Sequence, residues 1–224
     1  MSEVLYSLQV AARAEARGRH QNYDALIELM NVVVALAALA FALPIMLGVG
    51  FAVFIQDGGP VLFAHRRIGR DGRSFRCLKF RTMATDAEAR LADLLARDAQ
   101  ARAEWDKDHK LRNDPRVTRL GEFLRKSSLD ELPQLFNVLR GEMSLVGPRP
   151  IVEAEIVKYG RRFQQYCAVK PGITGLWQVS GRNDTTYRTR VALDCLYAGR
   201  RSLLLDAKVL AATVPAVLMR RGSY

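Results

Sequence analysis

The stretch Ser127-Ser128-Leu129-Asp130-Glu131-Leu132-Pro133-Gln134-Leu135 sets two carboxylates side by side at the head of an apolar run. Neighbouring positions on a helix point about 100° apart. Asp130 and Glu131 would therefore do different jobs, one attacking and the other holding a divalent cation. A carboxylate that attacks a diphosphate forms an acyl phosphate, and Mg²⁺ is the natural cation for oxygen ligands plus a diphosphate. A helix N-terminus would keep Asp130 ionised and offer backbone N–H groups to a phosphate. The same residues also have a purely structural reading. Ser128-x-x-Glu131 fits a capping box, acids in a first turn suit the helix dipole, and Pro133 is tolerated early in a helix. The residues alone leave both readings open.

Basic residues gather around the acid pair in sequence. Arg119, Arg125 and Lys126 precede it, and Gly147-Pro148-Arg149-Pro150 follows. Two prolines stiffen the backbone around Arg149, and a preorganised fork of donors suits a phosphate. Lys79 and Arg81 stand at the end of a strand-like segment, and Arg182 and Asn183 follow a Ser180-Gly181 turn. Each alone reads as a solvated charge. Together they would serve a substrate with several negative charges.

These residues need elements to hold them. From Asn31 to Gln56 no residue is charged, and about 26 residues exceed the ~20 that a helix needs to cross a bilayer. The run does not read as a signal peptide: it starts deep in the chain and has no A-x-A-like site after it. A spanning anchor, a buried core helix and a re-entrant hairpin compete. Pro44, near its middle, removes a backbone hydrogen bond, yet such kinks are tolerated in membranes. Arg66, Arg67, Arg70, Arg73 and Arg76 follow the run, and Arg13, Arg17 and Arg19 precede it. With both flanks basic, charge asymmetry does not choose between spanning and re-entrant.

Residues 1–30 read as amphipathic helix, with Leu5, Leu8 and Ala12 on one face. Asp57-Gly58-Gly59-Pro60 ends the membrane segment, which divides the chain into a membrane part, 1–59, and a catalytic part, 60–224. Val61 to Phe63 and Phe75 to Phe80 read as strands around an Asp71-Gly72 turn. Thr85 to Lys110 reads as one charged helix, Thr118 to Lys126 as another, and Ser128 to Arg140 as a third. A short helix is expected over Tyr159 to Tyr166 and a strand over Ile173 to Val179. Ser202 to Arg220 is apolar on a broad face, with Asp206 and Lys208 on its polar side. It would pack on the domain or lie in the membrane interface.

The 224 residues carry a formal net charge of +11, with 49% hydrophobic and 25% charged residues. Such a chain is not disordered, and it attracts nucleic acid, anionic lipid or phosphorylated substrates. Cys77, Cys167 and Cys195 suggest neither a disulfide framework nor a zinc site. Neither a P-loop nor a complete dinucleotide fingerprint occurs.

Lys79-Phe80-Arg81-Thr82-Met83, Ser128 to Gln134, Gly141-Glu142-Met143-Ser144-Leu145-Val146-Gly147-Pro148-Arg149-Pro150 and Lys170 to Gln178 resemble the bacterial sugar transferases, the monotopic polyprenyl-phosphate phosphoglycosyl transferases. Jointly these blocks are very specific and span most of the chain from about Tyr23. The resemblance implies a helix-rich α+β fold: a compact cytosolic catalytic domain with a re-entrant membrane helix and interfacial amphipathic helices. It implies transfer of a sugar 1-phosphate from a UDP-sugar to undecaprenyl phosphate, with release of UMP, at the cytoplasmic face of the bacterial inner membrane. Asp130 matches the nucleophile and Glu131 the Mg²⁺ ligand. Lys79, Arg125, Arg149 and Arg182 match basic residues that contact phosphates or nucleotide, and Arg81 falls within the first matching block. Pro44 matches the break in the re-entrant helix, although Leu43 stands where the family often has Ser. The charged helix and the C-terminal tail are similar to members that start exopolysaccharide or O-antigen units with galactose or glucose. The expected partners are the UDP-sugar, undecaprenyl phosphate and membrane lipid, with a homodimer left open and no nucleic acid. A membrane-tethered nucleic-acid module lacks any recognised motif here, and a silent scaffold of a polysaccharide export complex is the remaining alternative.

Overall fold

The computed structural model describes the backbone of residues 2–108, 111, 113–181 and 185–218; side chains are described from Asp24 onward, without 107, 108, 217 and 218. Arg182 and Asn183 lie outside these described residues, as do the side chains of Leu5, Leu8, Ala12 and the arginines at 13, 17 and 19.

Helix α1 (Ser2–Asp57) contains the whole uncharged run, and its part from Asp24 to Asp57 is long and apolar enough to cross a membrane. Asn31, Ala35, Ala42, Met46 and Val53 are buried. Their spacing of four and seven residues marks one stripe of a helix. The other faces are bare, and Phe41 is 82% exposed. A break was expected at Pro44, but α1 continues through it. Ala42 and Met46, on either side of the proline, are buried in the same core, so both halves pack on one cluster although Pro44 removes a backbone hydrogen bond.

Strands β1 (Leu62–Ile68) and β2 (Ser74–Phe80) form the expected antiparallel hairpin. Asp71 and Gly72 make its turn with φ of 59° and 72°, a region where glycine is at ease and Asp is tolerated. The expected charged helix is two helices, α2 (Ala87–Arg97) and α3 (Ala99–Asp108). Asp98 divides them: its backbone is extended, and its carboxylate accepts from the Gln100 and Ala101 amides as the cap of α3.

Helix α4 (Arg119–Ser127) starts as expected, with the Thr118 hydroxyl accepting from the Gly121 amide. The helix expected over Ser128 to Arg140 is instead a 3₁₀ turn, Leu129–Glu131, followed by the short α5 (Gln134–Leu139). Strands β3 (Ser144–Val146) and β4 (Gly172–Thr174) pair in parallel. Between them lie α6 (Ile156–Tyr159) and α7 (Phe163–Cys167), which with a 3₁₀ turn at Gly160–Arg162 replace the single helix expected over Tyr159 to Tyr166. The strand expected over Ile173 to Val179 turns helical at α8 (Leu176–Val179): Gly175 is the last extended residue, and the Val179 and Ser180 amides bond back to the Gly175 and Trp177 carbonyls. Helices α9 (Tyr187–Arg200) and α10 (Leu203–Leu218) complete the fold.

Helix α1 and the residues that follow it share their cores. Ala35 packs with Cys77, Leu135, Val138 and Met143. Ala42, Met46 and Val53 pack with Phe80 and Leu124. Polar side chains fix the register. Asn31 donates to Ser144 Oγ at 2.9 Å and accepts from the Leu145 amide at 3.0 Å, tying α1 to β3. Asn137, fully buried, accepts from the Leu78 amide and donates to the Arg76 carbonyl. It stands in for a strand along β2. Helix α10 packs through Val209 against Val146 and Tyr197. Asp206, read as a polar-face residue, is buried instead and accepts from Tyr197 Oη at 2.8 Å.

Candidate active site

The acid pair sits in the 3₁₀ turn, not in the first turn of a helix. Ser128 has φ 58° and closes α4 in the left-handed region, and its side chain makes no cap bond. The capping-box reading therefore fails, and so does the helix N-terminus that was to keep Asp130 ionised. The Asp130 carboxyl stays raised, and only part of that rise is offset by Lys79. The Lys79 ammonium lies 2.7 Å from Glu131 Oε1 and 3.6 Å from Asp130 Oδ2. Asp130 is only 7% exposed. Burial pushes its carboxyl above the usual range, Lys79 pulls it back, Glu131 pushes it up again, and Arg125 pulls it down. A second neighbouring cation would release this carboxylate as a nucleophile.

Arg125 reaches toward the pair from the last turn of α4. Its Nε donates to Thr82 Oγ1 at 2.9 Å, and the charges of Asp130 and Asp114 both act on it. Thr82 is itself fixed: its carbonyl accepts from the Thr118 amide, and a Cβ added to Gly121 would come 1.9 Å from that oxygen. Only glycine lets α4 lie so close. Asp114 holds Arg116 through paired contacts of 2.8 and 2.6 Å, and Arg116 lies 4.8 Å from the Trp105 ring. Thr82, Asp114 and Gly121 were not picked out from the sequence, although Thr82 lies in one of the matching blocks.

Arg149 is presented by two crossing loops. The Gly147 amide donates to Thr174 O and the Gly172 amide to Pro148 O, both at 2.8 Å, and Pro148 and Pro171 are fully buried. The Arg149 guanidinium lies 5.4 Å from the Trp177 ring, with Arg190 at 4.8 Å from the same ring. Arg190 and Arg67 both reach Glu155, at 3.4 and 3.8 Å. Behind them, Asp194 accepts from Tyr159 Oη at 2.7 Å, and burial pushes its carboxyl up to about 6. Strand β2 connects this basic group to the acid pair. The charges of Lys79, Arg67, Glu131 and Arg149 all act on Cys77, whose thiol burial pushes up.

Of the residues singled out in the sequence, Asp130, Glu131, Lys79 and Arg125 are brought together, and Arg149 stands in the neighbouring basic group. Arg81 is engaged elsewhere: it ion-pairs with Asp57 and bonds the Val53 carbonyl, locking the end of α1. Among the described residues no three His, Cys, Asp or Glu side chains gather. Mg²⁺ needs no such cage, since it keeps several waters and takes one or two carboxylates plus substrate phosphates. The acid pair beside a diphosphate fits that donor set.

Several known proteins are similar to this chain over most of its length. The UDP-galactose-lipid carrier transferase of Erwinia amylovora is 53% identical over 194 residues, 87% of this chain but 40% of that protein. The exopolysaccharide production protein ExoY of Rhizobium meliloti is 50% identical over 194 residues, 87% of this chain and 86% of ExoY. The UDP-glucose:undecaprenyl-phosphate glucose-1-phosphate transferase of Caulobacter vibrioides is 40% identical over 203 residues, 87% and 70% of the two chains. The chain thus spans about two-fifths of some relatives and most of others. With the bacterial sugar transferase model matching residues 22–220, the chain belongs to that family.

Proposed function

We propose that the protein transfers a hexose 1-phosphate from a UDP-sugar to undecaprenyl phosphate, releasing UMP and starting a polysaccharide unit. The buried Asp130 with Lys79 bridging it to Glu131 is the observation that carries this reading. An Asp130 oxygen attacks the phosphorus that bears the sugar. The bond from that phosphorus to the UMP oxygen breaks, and UMP leaves with the electron pair. An oxygen of undecaprenyl phosphate then attacks the same phosphorus and displaces Asp130. Lys79 and Arg125 face the reacting phosphoryl group, and Arg149 faces the nucleotide phosphate, so developing charge meets fixed cations. Glu131 and the diphosphate would hold Mg²⁺, which when bound neutralises the phosphate charge. The relatives named for galactose and glucose favour a hexose.

Both ends of the apolar part of α1 are tied to the same domain. Lys170 bonds Glu28 at 2.6 Å at one end, and Arg81 holds Asp57 at the other. A helix that crossed the bilayer would carry one end away from that domain. These ties favour a helix that enters one leaflet and keeps both ends at the cytoplasmic face of the inner membrane.

The test is UMP release in nanodiscs with Mg²⁺, undecaprenyl phosphate and a panel of UDP-sugars. Asp130→Asn should lower turnover by about a thousandfold or more, on the scale seen when nucleophiles are removed. Glu131→Gln should lower turnover and raise the Mg²⁺ requirement. An Asp130→Asn protein with full turnover would rule out the covalent route.

A further inference from the structure

Residues on a strand alternate between faces, so the hairpin has two unlike sides. Phe63, His65 and Arg67 share a face with Lys79, Cys77 and Phe75, as the register requires. That side looks toward the acid pair. The other side carries Ala64, Arg66, Ser74 and Arg76, all exposed. They line an open groove of about 600 Å³.

Arg66 stands directly opposite Arg76. Cβ atoms in such a pair are about 5 Å apart, and like charges there destabilise the hairpin. Three nearby cations are compensated: Arg67 by Glu155, Arg70 by Asp24 and Lys79 by Glu131. Among the described residues neither Arg66 nor Arg76 forms an ion pair with a carboxylate. The small side chains of Ala64 and Ser74 leave the space between and beside the guanidiniums open. Two guanidinium forks over such a floor suit a phosphate group, which an arginine grips through two parallel bonds.

The position of the groove selects the source of that phosphate. The hairpin runs beside α1 for the length of its apolar part. Phe80, on the groove's own face, and Val61 lie against Gly50, and Arg70 ion-pairs with Asp24. A helix with bare apolar faces therefore lies next to an uncompensated basic groove. Acyl chains and a headgroup make the same pairing in a lipid. We propose that the Arg66–Arg76 groove binds the headgroup phosphate of an acidic phospholipid from the leaflet that receives α1. This rests on the reading of α1 as a membrane helix but not on the transferase chemistry.

The full chain in zwitterionic detergent would be titrated with short-chain phosphatidylglycerol or phosphatidylcholine and followed by native mass spectrometry. The protein should retain phosphatidylglycerol in preference to phosphatidylcholine. Arg66→Gln with Arg76→Gln should weaken that binding about thirtyfold, at about 1 kcal/mol for each basic residue at an anionic surface. Arg66→Lys with Arg76→Lys should keep most of it, and should fold if the glutamine pair does not. Arg97→Gln with Arg102→Gln removes the same charge from the α2–α3 arm and should leave binding unchanged. Equal losses from both glutamine pairs would reduce the effect to overall charge and overturn the site. Displacement by millimolar glycerol phosphate as effective as by lipid would overturn the lipid assignment in favour of a free phosphate. UMP release in parallel keeps the two readings apart: an inactive protein with intact lipid preference would fault only the transferase reading.

Discussion

Thr82→Val tests whether Arg125 is aimed at Asp130 or merely decorates α4. Valine keeps the shape of threonine and deletes only Oγ1. The substitution leaves Arg125 Nε, which now donates at 2.9 Å, without its acceptor in a site where Thr82 is 8% exposed. The backbone should not follow, because Gly121 and the Thr118 amide clamp Thr82 O from outside the side chain. Losing a hydrogen bond to a charged donor in such a place costs about 1.5–3 kcal/mol. If most of that appears in the transition state, kcat/KM for UMP release falls by roughly 10- to 150-fold. Thermal melting of the same sample reports how much appears as stability instead. Arg125→Lys breaks the same contact from the other side, so the double variant should lose little beyond the worse single one. A Thr82→Val protein with unchanged kcat/KM, whatever its melting temperature, would refute the role given to this bond.

Asn137→Leu should cost about 3–4 kcal/mol, since it strands the Leu78 amide and the Arg76 carbonyl in the core; chemical denaturation measures it, and a loss under 1 kcal/mol would mean that water replaces the side chain. Asp194 gives a pH signature. Its carboxyl is raised from 3.8 to about 6, so between these values the folded protein binds more protons than the unfolded chain. Its contribution is therefore full below about pH 4 and is lost as pH rises through 6, by about 3 kcal/mol in all. Asp194→Asn should flatten that part of the stability–pH curve, and an unchanged curve would show that another group sets it.

Much of the site was legible before any fold was known, because chemistry concentrates in short blocks. Asp130-Glu131, Lys79 and Gly147-Pro148-Arg149-Pro150 lie in such blocks, and the structure brings the acid pair, Lys79 and Arg125 together. What was not legible is how the acids are held. Ser128-x-x-Glu131 satisfies a capping pattern, but the pattern says nothing of Ser128 adopting φ 58° to end the preceding helix. Once it does, burial replaces the helix dipole as the dominant effect on Asp130. Asp206 misled for a similar reason: helical spacing put it on the polar face, and a tyrosine hydroxyl from α9 made its burial tolerable. Arg81 matched by its position in a block, yet its partner Asp57 is separated from it by the turn and β1–β2 hairpin. Asn31 and Asn137 left a fainter signal, each a lone amide in an apolar run, and each bonds backbone of a distant segment.

The buried stripe of α1 has a consequence for how the protein matures. Ala35, Ala42, Met46 and Val53 supply one wall of two cores whose other walls come from β2, α4 and α5. A version cut after residue 59 would uncover Phe80, Cys77, Leu124, Leu135 and Val138 together, leaving an open half-shell rather than a soluble enzyme. Nor could the globular part finish folding and receive α1 afterwards, because its interior is incomplete until α1 arrives. Docking of α1 and closure of the interior are thus one event, and whatever covers the bare apolar faces of that helix acts on this chain during folding rather than after it.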